Sequence, residues 1–198
     1  MSNIYDKGVV ILDFGSQYTQ LIARRVRELN VYSFILPPET NIDKILSLNP
    51  GALILSGGPS SIYDQNAPNF DQKILDIDLP ILGICYGLHL LTHYNGGKVS
   101  STGSGEYGFA NINIFETENL FKGIKSTGVW MSHGDQVTKV PKDWEVLAES
   151  SNGVIAAMMN KSRSLVATQF HPEVHHTKDG LKMLENFLLK IADCKPNW

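Results

Sequence analysis

The chain has 198 residues, with 17 Lys plus Arg against 20 Asp plus Glu, a formal net charge of −3. Hydrophobic residues make up 42% and charged residues 19%, a globular balance that excludes disorder along the whole chain. Without a basic excess nucleic acid is not the expected main partner, and no run of ~18 apolar residues is present to span a membrane.

The polar first seven residues lack the apolar stretch of a secretory leader. Two cysteines, Cys85 and Cys194, cannot make a disulfide framework, so a cytoplasmic address with free thiols is expected. Gly8-Val9-Val10-Ile11-Leu12-Asp13 predicts a buried strand. Tyr18, Leu21, Ile22, Val26 and Leu29 then recur at helical spacing and share one face. Residues 31–36 predict a second strand, stopped by Pro37-Pro38. Ile42, Ile45, Leu46 and Leu48 mark a short helix, and Ala52-Leu53-Ile54-Leu55 another buried strand. Ile74 and Leu75 point to one more helix; Pro80-Ile81-Leu82-Gly83-Ile84 is strand-like, and residues 88–94 are helical in pattern.

Apolar strands alternating with amphipathic helices imply βαβ units and a parallel sheet covered on both faces. The second half changes character. Residues 111–115, 129–132, 146–150 and 154–159 follow one another closely and suit antiparallel strands added at the sheet edge. A further strand is expected at 165–170. A closing helix carries Leu181, Leu184, Phe187, Leu188 and Ile191, with Cys194 in its last segment. The expected fold is α/β, a mostly parallel central sheet with helices on both faces and added antiparallel strands, as one domain over residues 1–198.

Gly83-Ile84-Cys85-Tyr86-Gly87 is the cysteine version of the Gly-x-Ser-x-Gly nucleophile elbow. A sharp strand-to-helix turn brings neighbouring segments so close that a Cβ at either flank would clash. A helix N-terminus beneath the sulfur favours thiolate. The competing reading is a buried structural cysteine. Ser56-Gly57-Gly58-Pro59 also follows an apolar strand, and a Gly-Gly pair leaves N–H groups free to meet an oxyanion; a plain turn is the alternative. No phosphate-loop pattern is present. Gln169-Phe170-His171-Pro172-Glu173 offers a base and a carboxylate two residues apart, which point the same way in an extended segment. Pro172 favours that extension and argues against a helical His171–His175 zinc pair, leaving His175 and His176 as loop residues. Trp130-Met131-Ser132-His133-Gly134-Asp135 and Glu106-Tyr107-Gly108 read as loops with polar potential.

With these segments in place, the chain resembles the class I (triad) glutamine amidotransferases, which take ammonia from glutamine with a Cys, a His and a Glu. Residues 54–59, 83–87 and 169–174 carry the resemblance to the class. Residues 11–18 and 130–135 resemble the branch that forms the glutaminase part of GMP synthases. The resemblance implies that Cys85 is the nucleophile, His171 the acid/base and Glu173 its orienter. It implies an oxyanion hole from the N–H groups of Gly58 and Tyr86. It also implies a glutamine pocket from Gly57, Gly58, His89, Ser132, Gly134 and Asp135, the last three largely through backbone groups. The class usually has Gln where this chain has His89, and often Thr where it has His175.

L-Glutamine is the implied substrate, with no metal or organic cofactor in this domain. The implied partner is an ATP pyrophosphatase (synthetase) domain or subunit that adenylylates xanthosine monophosphate. ATP and Mg belong to that partner, whose phosphate loop is absent from these residues. The last residues, Lys195-Pro196-Asn197-Trp198, fall near where the synthetase part of a fused protein would begin. The chain is either an isolated domain or a free-standing subunit. Other amidotransferases, γ-glutamyl hydrolases and a non-catalytic regulatory module are the competing readings.

Overall fold

The computed structural model describes residues 6–198. Strands β1 (Val9–Leu12), β2 (Ser33–Leu36), β3 (Ala52–Leu55) and β4 (Ile81–Ile84) are joined through helices α1 (Thr19–Glu28) and α2 (Ile42–Ser47) and a 3₁₀ turn at Gln72–Leu75. Helix α3 (Tyr86–Tyr94) leads into β5 (Lys98–Ile114), β6 (Gly128–Lys139), β7 (Glu145–Ser150), β8 (Ile155–Asn160) and β9 (Leu165–Thr168). Helix α4 (Gly180–Glu185) continues into a π-helical turn, Asn186–Ile191.

The sheet order is β2-β1-β3-β4-β9-β8-β7-β5-β6. From β2 to β9 every pairing is parallel, so these strands end on one edge. The remaining pairings are antiparallel. Side chains alternate across the sheet as period two requires. Val9, Ile11, Ile54 and Leu82 pack with Ile22 and Val26 of α1 and Met183 and Leu184 of α4. Val10, Leu12, Leu53 and Leu55 pack on the other face with Ile45 of α2 and Leu88 and Leu91 of α3. The expected α/β sheet covered on both faces is therefore present, with its antiparallel strands at one side.

Three expectations are corrected. The strand expected at 129–132 runs on through 135, and Glu106-Tyr107-Gly108 and residues 133–135 are not loops: they belong to the long β5–β6 arm, Tyr107 opposite Ser132 and Glu106 opposite His133. Ser and Gly at 100–105 have weak strand propensity; Ser100 and Ser101 pair with Gln136 and Asp135, and the register shifts between Ser101 and Glu106. Strand β9 ends at Thr168, which leaves Gln169 and Phe170 outside it. Cys194 lies past the final helical turn, because Asp193 adopts a left-handed φ of 49° that ends the helix. Burial pushes the Cys194 thiol up to about 12, so it is an inert packing residue.

A close backbone approach lies under the α3 start. A Cβ on Gly87 would sit 2.4 Å from the Leu55 carbonyl oxygen of β3, and one on Gly83 2.5 Å from the Gly87 oxygen. Both contacts are with backbone, which cannot move aside. Gly87→Ala is expected to lower stability by about 1–3 kcal/mol in urea denaturation, the range for overpacking a core. Gly134→Ala, whose nearest neighbour would be the Tyr107 hydroxyl at 3.3 Å, leaves the midpoint nearly unchanged.

Candidate active site

The loops after β1, β3, β4 and β9 meet at the edge where the parallel strands end, which is where open α/β sheets bind ligands. Two stitches fix the first pair. Phe14 N–H donates to Ser56 Oγ at 2.9 Å, and Ser56 Oγ–H donates to the Gly57 carbonyl at 2.8 Å. Asp13 Oδ1 accepts from Gly15 N at 2.9 Å and from Thr19 Oγ1 at 2.7 Å, tying the β1 loop to α1.

Cys85 stands between β4 and α3 with φ 52° and ψ −100°. For a residue with a Cβ this backbone is strained by about 1–3 kcal/mol, and such strain persists only where surroundings impose it. Here Gly83 and Gly87 allow the crossing, and Cys85 N–H is held by the Thr168 carbonyl at 2.7 Å. The turn aims Sγ at the cleft, 3.4 Å from the Ser132 carbonyl of β6.

The structure brings His171 and Glu173 together, although residues 172–173 form a turn and not the extended segment expected of them. His171 Nδ1 is 2.8 Å from Glu173 Oε1, and both side chains are buried. The segment is pinned by its main chain. His171 N–H donates to the Trp130 carbonyl at 3.0 Å, Thr177 Oγ1 donates to the His171 carbonyl at 2.7 Å, and Arg25 Nε donates to the Glu173 carbonyl at 3.0 Å. Tyr18 packs edge-on to the imidazole, ring centres 5.1 Å apart. Burial pushes His171 down, but the Glu173 carboxylate and a hydrogen bond with Cys85 outweigh it and raise the imidazole to about 10. The ring is thus held as an imidazolium between sulfur and carboxylate.

A cleft of about 410 Å³ opens in front of the sulfur, lined by Gly58, Cys85, Tyr86, His89 and the Ser132–Asp135 stretch of β6 among others. As first residue of α3, Tyr86 has an N–H with no acceptor within the helix. Gly58 sits against the β1 loop, where a Cβ would meet the Phe14 carbonyl oxygen at 2.5 Å. Asp135 is fixed by Ser61, whose Oγ donates to Oδ2 at 2.6 Å. Gly57 is not in this lining. It is buried behind it, where a Cβ would press on His171 Cε1 at 3.1 Å, so it leaves room for the imidazole. His89 borders the cleft but is 4% exposed and hydrogen bonded to Gln169. Burial lowers its pKa, against the Gln169 contact, so a cationic ring in the pocket is disfavoured.

The residues 15–18 loop forms a second cleft of about 320 Å³ that shares Cys85, Gly58 and Ser132 with the first and includes His171. Two contributors were named from sequence only as members of polar loops, without a role. His133 is buried, with Nδ1 2.9 Å from the Asp135 carbonyl and Nε2 3.2 Å from Glu106 Oε2. Glu106 also accepts from Ser150 Oγ at 2.7 Å and Asn152 Nδ2 at 2.8 Å. This cluster braces the cleft wall from behind. Its one sequence signal was a lone carboxylate and a lone histidine 27 residues apart. Among the described residues no group of three or more His, Cys, Asp or Glu is placed to hold a metal. His175 and His176 lie 3.8 Å ring to ring, and His176 stacks on Trp130 at 4.3 Å.

A cysteine sulfur on a strained elbow, beside a buried imidazole–carboxylate pair, has the groups that acyl transfer through a thioester requires. The family model of class I glutamine amidotransferases matches residues 10–191. This chain belongs to that family. It is 51% identical over 199 residues to the glutamine-hydrolysing GMP synthase of Brachyspira hyodysenteriae, a match covering 100% of this chain and 38% of that protein. The corresponding enzyme of Carboxydothermus hydrogenoformans is 49% identical, over 96% of this chain and 38% of its own length. The chain thus spans well under half the length of these curated relatives. A solved structure from Thermoplasma acidophilum, that of a candidate GMP synthase subunit, superposes with a TM-score of 0.81 at 31% identity, over 94% of each chain. A glutamine amidotransferase of Thermotoga maritima shares the fold, with a TM-score of 0.72 at 17% identity.

The raised His171 has a consequence for stability. Between its ordinary value near 6.5 and its folded value of about 10, the folded protein holds a proton that the unfolded chain releases. Its contribution is complete below pH 6.5 and is lost as pH rises toward 10. Thermal midpoints measured across that window should fall with rising pH in the wild type and fall less in His171→Ala.

Proposed function

We propose that this chain is a single glutamine amidotransferase domain that hydrolyses L-glutamine and passes the ammonia to an ATP-dependent partner, which aminates xanthosine monophosphate to GMP. The observation that carries the reading is Cys85 at φ 52°, with its sulfur beside the imidazole of a 2.8 Å His171–Glu173 pair. The GMP synthases at 49–51% identity support the nucleotide branch and the partner.

The chemistry follows from the atoms. Cys85 Sγ attacks the side-chain amide carbon of glutamine, and the carbonyl electron pair moves onto oxygen. That oxyanion meets the N–H groups of Gly58 and Tyr86, a contact worth roughly 2.7–4 kcal/mol per lost donor. His171 gives its proton to the leaving nitrogen, ammonia departs, and a γ-glutamyl thioester remains. Neutral His171 then takes a proton from water as the hydroxyl adds to the thioester carbon. Collapse expels the Cys85 thiolate and frees glutamate. Glu173 keeps the imidazole oriented and favours its charged form throughout. Ser132, Gly134 and Asp135 line the end of the cleft that receives the amino acid, and the Asp135 carboxylate suits its ammonium group. No metal or organic cofactor takes part in this sequence; ATP and Mg serve the partner.

Cys85→Ala is expected to abolish ammonia release from glutamine while circular dichroism stays unchanged. His171→Ala should cost more in kcat/KM than Glu173→Gln, because Gln keeps an acceptor for Nδ1 whereas Ala removes the proton carrier. Appreciable glutamate formation by purified Cys85→Ala would remove the assignment.

A partner that consumes ammonia favours a glutaminase that is slow until the partner docks, since a ligand shifts a conformational balance only through its differential affinity. Glutamine turnover by the chain alone is expected to rise when a GMP synthetase domain, XMP and ATP are added together. Identical turnover with and without them contradicts the coupling.

A further inference from the structure

Gln169 joins two residues of the site that lie on other elements, and the chemistry above makes no use of it. Its side chain is fully buried. Oε1 lies 3.0 Å from His89 Nε2 on α3, and Nε2 lies 3.7 Å from Cys85 Sγ. Its backbone N–H is already satisfied by the Ala156 carbonyl at 2.8 Å, so the side-chain contacts are separate from those that hold the chain.

A carboxamide is a donor at one end and an acceptor at the other. Which end faces the sulfur therefore matters. A carbonyl oxygen there would repel a thiolate, whereas an N–H donates to it, and a hydrogen bond to the charged form favours that form. His89 sets the choice. With its ring proton on Nε2 the imidazole needs an acceptor there, so it holds Oε1 and turns the amide nitrogen toward Sγ. The ring is itself placed one turn into α3, and the nearby Asp135 carbonyl is taken by His133 Nδ1 at 2.9 Å, which leaves the single proton of a neutral His89 for Nε2.

We infer that Gln169 is a positioning residue for the nucleophile, donating its amide N–H to the Cys85 thiolate, and that His89 acts through Gln169 by fixing the orientation of that amide. The inference rests on the glutaminase reading for its purpose but not for its test. It also gives His89 a place in this site different from contact with substrate: its ring nitrogen is committed to a buried amide rather than to the open cleft.

The test follows the pH dependence of Cys85 alkylation by iodoacetamide, with labelled peptides mapped so that Cys194 is scored separately. Charged and titratable groups around Cys85 are His171 with Glu173 behind it, Tyr18 before α1, His89 on α3, Tyr107 on β5, and His133 and Asp135 on β6. None of them is substituted when only Gln169 is changed. Gln169→Leu should move the alkylation midpoint up by about 0.5–1 pH unit, which is roughly three- to ten-fold less thiolate below the midpoint. Gln169→Glu is isosteric and still accepts from His89, but it sets an oxygen against the sulfur, so its midpoint should be higher again. His89→Phe keeps a ring without the donor. It should raise the midpoint when Gln169 is present and add nothing in the Gln169→Leu background, as two residues acting in series must.

An unmoved midpoint in Gln169→Glu overturns the inference, and so does an equal effect of His89→Phe in both backgrounds. Thermal melts show which variants fold; if Gln169→Leu does not, the Glu variant decides. Alkylation needs no glutamine, so the two readings fail separately. The expected shifts without ammonia release from glutamine would remove the glutaminase reading, whereas ammonia release with unmoved midpoints would remove this one.

Discussion

The backbone of Cys85 is the constraint on which the rest of the site depends. A residue with a Cβ at φ 52° and ψ −100° is held there only by what surrounds it. The chain turns from β4 into α3 without a connecting residue to spare, and that requires two helix–strand contacts with no side chain between them, at Gly83 and Gly87. The outcome is a sulfur lifted off the sheet edge and placed at a helix start. Gly58 and the His171–Glu173 segment come to that point after neighbouring strand ends, and the parallel register from β1 through β9 brings them to the same edge.

Around the sulfur, buried polar groups form one connected set. Glu173 is fully buried, and its second oxygen, Oε2, has no hydrogen-bond partner. A buried carboxylate in that condition is costly unless a cation is at hand. The His171 imidazolium meets the need, and its raised pKa is the other side of the same interaction. Arg25 supports the segment through the Glu173 carbonyl rather than its carboxylate, leaving the imidazolium as the charge partner. The charge of the imidazole thus depends on the carboxylate and the sulfur beside it.

The β5–β6 arm plays a different part. It continues the sheet past its edge and then supplies the wall opposite the elbow. Exposed Ser132 and Gly134 face outward to the cleft while buried Met131 and His133 face inward, the alternation of a strand applied to a binding surface. Glu106, His133 and the Asp135 carbonyl lock the arm in register from its inner side. The wall is rigid because its back is hydrogen bonded, not because its front is packed.

By itself the sequence determined the order of βαβ units, the elbow at Cys85 and the pairing of His171 with Glu173. These are local patterns: an apolar run with glycines at fixed offsets, and a histidine and a carboxylate on either side of a proline, which the chain joins through a turn. It also marked Ser132, Gly134 and Asp135, but as a polar loop, since Gly and Ser are poor strand formers when alone. What the tertiary structure decided depends on partners far apart in the chain. The pairing of β5 with β6 made strands of residues 98–110 and 130–135, and sheet order put Gly57 behind the imidazole instead of in the cleft. The same holds for Gln169 between His89 and Cys85, and for Glu106 against His133, contacts across 80, 84 and 27 residues. A buried hydrogen bond between side chains has no period and leaves no spacing to read, because its geometry is set only when the core has closed around it.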